Sequence, residues 1–142
     1  MCGIGGVRKF GDEPITRDEI HLLMQMLERR GNDASGIAVM NAAGEIAILK
    51  SPVPAWQFLQ DDEFIKFSEE YLPSTEIVLI HTRFATQGSP FKNEYNHPMF
   101  DGETAVVHNG MISNDDWLFN QLKLDRKAET DSDIIRAIIT EN

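Results

Sequence analysis

The spacing of apolar residues predicts short strands separated by amphipathic helices. Between Ile20 and Leu27, apolar residues recur at i, i+3, i+4 and i+7, which is the spacing of one helix face. Thr16 and Glu19 precede this run as a capping box, a pattern typical of a helix N-terminus. A helix is therefore predicted over residues 17–29.

The same reasoning assigns the rest of the chain. Shorter apolar runs bounded by turn residues predict strands over residues 3–9, 35–40, 45–50, 76–81 and 104–108. Further helices are predicted over residues 55–71, 114–123 and 131–140. Residues 41–44 read as a hairpin turn, and residues 84–98 as a polar loop. The order indicates mixed α and β structure in which hairpins outnumber crossovers.

Composition narrows the class of protein. A chain of 142 residues with 42% hydrophobic and 25% charged residues fits one globular domain. Its formal net charge of −10 argues against nucleic acid or an anionic membrane as partner. There is no apolar run of membrane-spanning length and no signal-peptide pattern. One cysteine excludes an internal disulfide and fits a reducing compartment, so a cytoplasmic protein is expected. The four histidines lack metal-ligand spacing, and neither a metal nor a cofactor is expected.

Cys2 is the residue best suited to chemistry. It follows Met1 directly and is the only cysteine. Removal of Met1 would place a thiol and a free α-amine on one residue. An α-amine has a pKa of about 7.7–8, which suits it to act as general base for its own thiol. The alternative is a small buried hydrophobe, the usual role of a lone cysteine. The neighbouring glycines favour the nucleophile, because they allow another group to approach the backbone closely.

Two segments at strand ends offer polar groups with competing interpretations. Arg83 follows an apolar strand and can bind a carboxylate through two hydrogen bonds, or it is a surface arginine. Asn109-Gly110 offers a side-chain amide and an unobstructed N–H, the donors of an oxyanion hole. The same dipeptide is the strongest short turn signal. Taken alone, each segment favours its structural alternative.

Two helix-flanking segments are equally ambiguous. Thr130 or Asp131 is placed to cap the last helix, which accounts for the acidity there without a ligand. Arg30-Gly31 is placed as a basic last helical turn followed by a glycine stop.

Together and in order, these segments resemble the glutaminase domain of the class II, or N-terminal nucleophile, glutamine amidotransferases. Within that family they are most similar to the glutamine–fructose-6-phosphate transaminase branch. The matching segments are Met1-Cys2-Gly3-Ile4, residues 30–36, residues 81–88, Asn96-His97-Pro98, residues 108–114 and Glu129-Thr130-Asp131-Ser132.

The resemblance implies an α+β fold, the four-layer αββα sandwich of the N-terminal nucleophile hydrolases. It implies that residues 1–142 are one glutaminase domain without an acceptor domain. Family domains usually continue past residues 129–132, so the expectation is a minimal stand-alone glutaminase, a fragment incomplete at its C-terminal side, or one partner of a split amidotransferase. The implied reaction converts the side-chain amide of L-glutamine to glutamate and ammonia through a γ-glutamyl thioester on Cys2. The ammonia would serve an acceptor domain or partner. Unpaired sheet edges would also favour a homo-oligomer.

Site roles follow from the resemblance residue by residue. Cys2 is the nucleophile, and the Asn109 side chain and the Gly110 N–H hold the oxyanion. The substrate-binding residues are Arg83 for the α-carboxylate, assisted by Thr86 and the backbone near Gln87, and Asp131 for the α-ammonium group. The supporting residues are Arg30, Gly31, His97 and His108.

Two departures from the closest branch and two alternatives accompany this interpretation. Phe84 and Gln87 stand where that branch has tryptophan and histidine, and the tryptophan lies on its ammonia route.

One alternative is a glutamine-sensing module that binds without turnover. The full set of Cys2, Asn109 and Gly110 argues against it. The other is an N-terminal nucleophile amidase for a different amide. The pairing of Arg83 with Asp131 favours an α-amino acid instead.

Overall fold

A computed structural model describes residues 1–86 and 88–141, and its centre is a four-stranded antiparallel sheet. The strands are β1 (Gly3–Arg8), β2 (Ala34–Asn41), β3 (Ile46–Ser51) and β4 (Thr75–Arg83). Their order across the sheet is β1-β4-β2-β3, so β4 and β2 are central. These central strands are the most buried of the four, as expected for strands with neighbours on both sides.

The register of this sheet collects three chain segments at one edge. Gly3 pairs with Thr82, and Ala34 pairs with Arg83. Antiparallel pairing therefore places the residue before β1, the residue before β2 and the residue after β4 side by side. These are Cys2, Asp33 and Phe84.

Helices cover one face of the sheet. They are α1 (Arg17–Glu28), α2 (Ala55–Phe58) and α3 (Asp62–Tyr71), which pack on β1 and β4, on β2, and on β3 respectively. The core between them is almost fully buried and includes Ile20, Met24, Ile37, Phe58, Phe64, Val78 and Ile80. The predicted capping box of α1 is present, with the Thr16 hydroxyl accepting from Glu19 N and the Glu19 carboxylate accepting from Thr16 N.

The single helix predicted over residues 55–71 is wrong. The chain forms two helices there, because Asp61 begins a new one by accepting a hydrogen bond from Glu63 N at 2.9 Å. A side-chain acceptor at an N-cap satisfies a helix N–H that has no partner within the helix. The buried pair Phe58 and Phe64 then packs across the break, with ring centroids 5.2 Å apart.

The remaining elements form a second, smaller unit. A two-stranded antiparallel sheet joins β5 (Met99–Phe100) to β6 (Ala105–Val106), and helices α4 (Asp115–Leu122) and α5 (Asp133–Glu141) follow. The strand predicted over residues 104–108 is therefore shorter than expected, and β5 was not predicted. The last helix begins at Asp133, two residues later than predicted. Tertiary contacts, more than apolar pattern, decide strands of two residues.

The architecture is mixed α and β with antiparallel sheets, compatible with the expected α+β class. Within residues 1–86 and 88–141, none of the helices is both long and apolar enough to cross a membrane.

A buried ion network ties α5 to the turn between β5 and β6. Arg136 Nε donates to Asp133 Oδ1 at 2.7 Å, and Arg136 Nη1 donates to Asp101 Oδ2 at 3.1 Å. All three side chains are only 1% exposed. A buried charge is tolerated only when it is paired, so the network holds the start of α5 in place.

Hydrogen bonding also sets the ionisation of Asp101. Burial alone would raise the pKa of this carboxyl, but donors from Thr140, the Thr104 and Glu103 backbone and Arg136 lower it below its usual range. The stability contributed by this carboxylate is therefore present above the ordinary pKa of about 4 and is lost as pH falls.

Substitution can test whether this buried network contributes more to the free energy of unfolding than an exposed ion pair does. We expect Arg136→Met to lower the free energy of unfolding by about 3–5 kcal/mol, because two carboxylates lose their buried partner. Asp116→Asn is the matched control: Asp116 is 89% exposed in its pair with Arg126, and its loss should cost below about 1 kcal/mol. Urea unfolding at pH 7 measures both, and similar losses would contradict the assignment.

Candidate active site

The Cys2 thiol lies against the backbone that follows β4. Phe84 N donates to Cys2 Sγ at 3.4 Å, and the thiol lies 3.5 Å from Phe84 O. The residue is half-buried and its thiol is free. A buried hydrophobic role is therefore excluded, and the sulfur faces a cavity with a backbone N–H directed at it.

Residues 30–33 hold the segments around the thiol together. Arg30 Nε donates to Cys2 O at 3.0 Å. Asp33 N donates to Arg83 O at 2.9 Å, and Asp33 Oδ2 accepts from Ala85 N at 2.7 Å. Gly31 touches the same backbone, because a Cβ there would lie 2.5–2.6 Å from atoms of Arg83 and Phe84. Glycine is needed at this position because the two backbone segments approach each other closely, and not because of its φ, which is not positive.

An open cavity of about 910 Å³ extends from the thiol, and several predicted site residues line it. They are Cys2, Thr86, Asn109, Gly110 and Asp131. A narrower recess of about 40 Å³ continues from it and is lined by Cys2, Arg83, Thr86, His97, His108, Gly110 and Asp131. The structure thus brings together all predicted catalytic residues and all described predicted substrate-binding residues. Gln87 lies outside the described residues.

Arg83 is a buried arginine, only 4% exposed, so the surface interpretation is wrong. Its Nη1 donates to Asn96 Oδ1 at 2.6 Å, and its Nη2 donates to Gly88 O at 3.0 Å. Burial lowers the pKa of the guanidinium, and the neighbouring Cys2 and Asp33 oppose that shift. An arginine keeps its charge in proteins, so the recess contains a cation in a fixed orientation.

Two neutral imidazoles lie close enough to this cation to be affected by its charge. His81 and His97 stack with ring centroids 4.3 Å apart. Burial lowers the pKa of His81 to about 4, and burial also lowers the pKa of His97 well below its usual value. Neither ring therefore adds charge at pH 7. His81 Nε2 donates to His108 O at 3.2 Å, which joins β4 to the segment carrying Asn109.

Asp131 is held beside that segment by two contacts. Its Oδ2 accepts from Ile112 N at 2.6 Å, and its Oδ1 accepts from the Ser132 hydroxyl at 3.3 Å. His108 Nδ1 lies 3.0 Å from Ser132 Oγ, within hydrogen-bond distance. Asp131 lies two residues before the start of α5, and its carboxylate contacts another segment of the chain.

The Asn109-Gly110 dipeptide is not the tight hairpin turn that its sequence favours. A type I′ turn needs positive φ at both central residues. Among the described residues, positive φ occurs at Lys123 and at four glycines other than Gly110. Gly110 lies against the His108 ring, since a Cβ there would come 2.7 Å from His108 Nε2. Asn109 and Gly110 are exposed along the cavity, as oxyanion donors need to be.

Comparison with known proteins agrees with the site. The chain is 35% identical to glutamine–fructose-6-phosphate aminotransferase (isomerizing) of Gluconobacter oxydans over 98% of its length. It is 34% identical to the enzyme of that name from Sulfolobus acidocaldarius over 99%, and 32% identical to one from Rhizobium meliloti over 99%. These matches span only 22–23% of each relative.

Other comparisons add nothing to that result. The chain matches no family model. A solved complex of a β-clamp processivity factor and the little finger domain of PolIV aligns with TM-score 0.38 and 16% identity, over 61% of this chain and 93% of that chain. A likeness that weak carries no conclusion.

The sequence relatives and the site geometry agree. The chain belongs to the glutaminase family of the class II glutamine amidotransferases. In this glutaminase-family chain, the described residues contain no group of three or more His, Cys, Asp or Glu side chains suited to hold a metal ion.

Sequence reasoning missed three residues that organise this glutaminase-family site. Asp33 clamps the backbone after β4, Asn96 holds the Arg83 guanidinium, and Ser132 joins His108 to Asp131. Each lies within a segment that carried the family resemblance, which was the available signal. Their individual roles depend on contacts across 13 to 52 positions of sequence, which a local pattern does not contain.

The close packing at Gly31 can be tested by substitution. We expect Gly31→Ala to lower the free energy of unfolding by about 1–3 kcal/mol, because the backbone at Arg83 and Phe84 must move away from the new methyl group. The same movement should change the rate at which iodoacetamide alkylates Cys2, since Phe84 N contacts its sulfur.

Gly6→Ala provides the control for that experiment. A Cβ at Gly6 would meet only ordinary contacts, the nearest 3.5 Å away at Val78 O. The stability change should stay within about 0.5 kcal/mol. If Gly31→Ala behaves like Gly6→Ala in both urea unfolding and alkylation rate, the packing argument is wrong.

Proposed function

We propose that the chain hydrolyses the side-chain amide of L-glutamine to glutamate and ammonia, with Cys2 as nucleophile after removal of Met1. The observation that carries the proposal is one cavity lined by the thiol, the Asn109-Gly110 donors and the Asp131 carboxylate. Homology to glutamine–fructose-6-phosphate aminotransferases supports glutamine as the nitrogen source.

The reaction proceeds in two displacement steps. The thiol loses its proton to the Cys2 α-amine, through a water molecule, and the sulfur attacks the amide carbon. When the C–N bond breaks, that proton passes to the leaving nitrogen, and ammonia departs from the γ-glutamyl thioester. Water then attacks the thioester carbon, and the C–S bond breaks to release glutamate and regenerate the thiol. The free α-amine is needed in both steps as the proton carrier.

Each tetrahedral intermediate carries a negative oxygen that the Asn109 amide and the Gly110 N–H stabilise. Donors fixed in advance at the position where charge develops lower the barrier, because they need not reorganise during the reaction. His108 supports this arrangement: its ring packs at Gly110 and its carbonyl accepts from His81.

The α-carbon end of glutamine is a zwitterion and needs opposite charges at a fixed separation. Arg83 binds the α-carboxylate, with Thr86 beside it in the recess, and Asp131 binds the α-ammonium group. Both charged side chains are buried and held by hydrogen bonds. A fixed cation and anion select an α-amino acid over a simple amide.

The wider setting of the reaction is part of the same proposal. The two antiparallel sheets and their helices belong to a four-layer αββα sandwich, and the ammonia serves an acceptor domain or partner. The chain spans about a fifth of the length of its curated relatives, which are named for transfer to fructose 6-phosphate. The exposed Phe84 and Met111 side chains at the cavity mouth supply an apolar rim for such a partner.

Covalent labelling tests the proposed nucleophile. Incubation with a diazoketone analogue of glutamine should add one label to a chain that has lost Met1, as measured by intact mass. Cys2→Ala should prevent the label, and excess L-glutamine, but not L-asparagine, should slow it. Glutamine binding without labelling or turnover by processed protein would indicate a sensing module and contradict the hydrolase.

The two ends of the substrate should respond differently to mutation. We expect Asn109→Ala to lower kcat by about 10²–10³-fold with little change in KM, since an oxyanion donor acts in the transition state. Asp131→Asn should mainly raise KM, because it removes the charge that binds the α-ammonium group while leaving an acceptor for Ile112 N–H. Steady-state glutamate release measures both.

Asn120→Ala is the matched control for that pair. Asn120 is exposed and its side chain donates to Asp116 O, on a helix position that does not line the cavity. Its kinetics should equal those of the original chain. If both site variants change KM alone, the division of roles is wrong.

A further inference from the structure

Lys50 is a half-buried cation that contacts the chain segment behind the glutamine recess. Its side chain extends from β3 at the edge of the sheet, and Nζ donates to Asn96 O at 2.8 Å and Pro98 O at 3.1 Å. Neither acceptor is a carboxylate. Burial penalises the charged form of a lysine side chain. A desolvated ammonium bonded to two carbonyl groups therefore indicates that these two contacts have a role in the structure.

The segment that Lys50 contacts lies directly on the sheet. Lys50 pairs with Gly36 across β2 and β3. A Cβ at Gly36 would collide with His97 O and approach Pro98 Cδ to 2.9 Å. The absence of a side chain at Gly36 therefore lets the His97-Pro98 backbone lie flat on the strand, within reach of Lys50 Nζ.

Asn96 connects this contact to the recess. Its Oδ1 accepts from Arg83 Nη1 at 2.6 Å. Its Nδ2 donates to Pro90 O at 2.7 Å, and Asn93 Nδ2 donates back to Lys50 O at 2.7 Å. Lys50 thus bonds to this segment through both its side chain and its backbone. The Asn96 carbonyl that Lys50 binds belongs to the residue whose side chain orients Arg83.

We propose that Lys50 is a positioning residue for glutamine binding: it fixes Asn96, and Asn96 fixes the Arg83 guanidinium that receives the α-carboxylate. The inference rests on the proposed function for the identity of the ligand. The geometry does not depend on that function, since Lys50, Asn96 and Arg83 are linked by hydrogen bonds without any substrate.

Electrostatics supplies a readout specific to this role. Burial lowers the pKa of Lys50 to about 8, and the carboxylate of Glu94 partly opposes the shift. The neighbouring His97 is neutral, because burial lowers its own pKa. Lys50 is therefore charged below pH 8 and loses its proton above it. The two hydrogen bonds then change from charge-assisted to neutral and weaken.

Lys50→Met and Lys50→Arg test the proposal in the full chain. We expect Lys50→Met to raise KM for glutamine by about tenfold, as for loss of a buried charge-assisted bond, with kcat within about twofold. Lys50→Arg keeps a charged donor and should restore most of the affinity. Alkylation of Cys2 by iodoacetamide, which has no α-carboxylate, should proceed at the original rate in both variants.

The pH profile separates positioning from a purely structural role. In the original chain KM should rise above about pH 8, where the Lys50 ammonium deprotonates. Lys50→Arg stays charged and should show a smaller rise, which corrects for the titration of glutamine itself. Identical profiles, an unchanged KM in Lys50→Met, or equal losses of turnover and alkylation would each overturn the proposal.

A measurement without turnover distinguishes this inference from the proposed function. Nitrogen NMR of the Arg83 side chain should show faster Nε–H exchange in Lys50→Met than in the original chain or Lys50→Arg. If the original chain does not hydrolyse glutamine but this difference is seen, the hydrolase proposal fails and the Lys50 contact chain stands. If Arg83 exchange is the same in all three, the Lys50 proposal fails whatever the turnover.

Discussion

The site depends on the antiparallel pairing of β4 with both of its neighbours. The register of Gly3 with Thr82 and of Ala34 with Arg83 brings three chain segments to one edge. Gly3 fits this register because it has no side chain: a Cβ there would meet Leu27 O at 2.7 Å. A shift of one residue would reverse the faces of every side chain in the strand, burying the polar ones and exposing the core.

The polar residues behind the thiol hold the charged Arg83 side chain in place, and the histidines among them are neutral. Burial keeps the imidazoles of His81 and His97 neutral, so these two rings add no positive charge beside the guanidinium of Arg83. Backbone carbonyls and the Asn96 amide occupy several of its donors and set its plane. Because these groups are already ordered, less binding free energy is lost in ordering them when a ligand binds.

Sequence patterns succeeded where structure is local. The capping box at Thr16 and the hairpin between β2 and β3 depend on neighbours in sequence, and both are present. Patterns failed where a distant contact decides. The break at Asp61 splits a periodic segment into two helices, and β5 is a strand only because β6 lies beside it. Arg83, which looks like a surface residue in isolation, is buried and bonded to Asn96, thirteen positions away.

The sequence by itself determined the types of residue available for chemistry: one thiol beside the start of the chain, an amide next to a glycine, and an arginine and an aspartate in recurring motifs. It also determined the family, because those motifs occur in a characteristic order. Only the tertiary structure decided that the thiol, the amide, the arginine and the aspartate line one cavity and its adjoining recess, and that Lys50 contacts the segment behind that recess. The physical reason is that burial, charge and hydrogen-bond geometry arise from segments far apart in the chain.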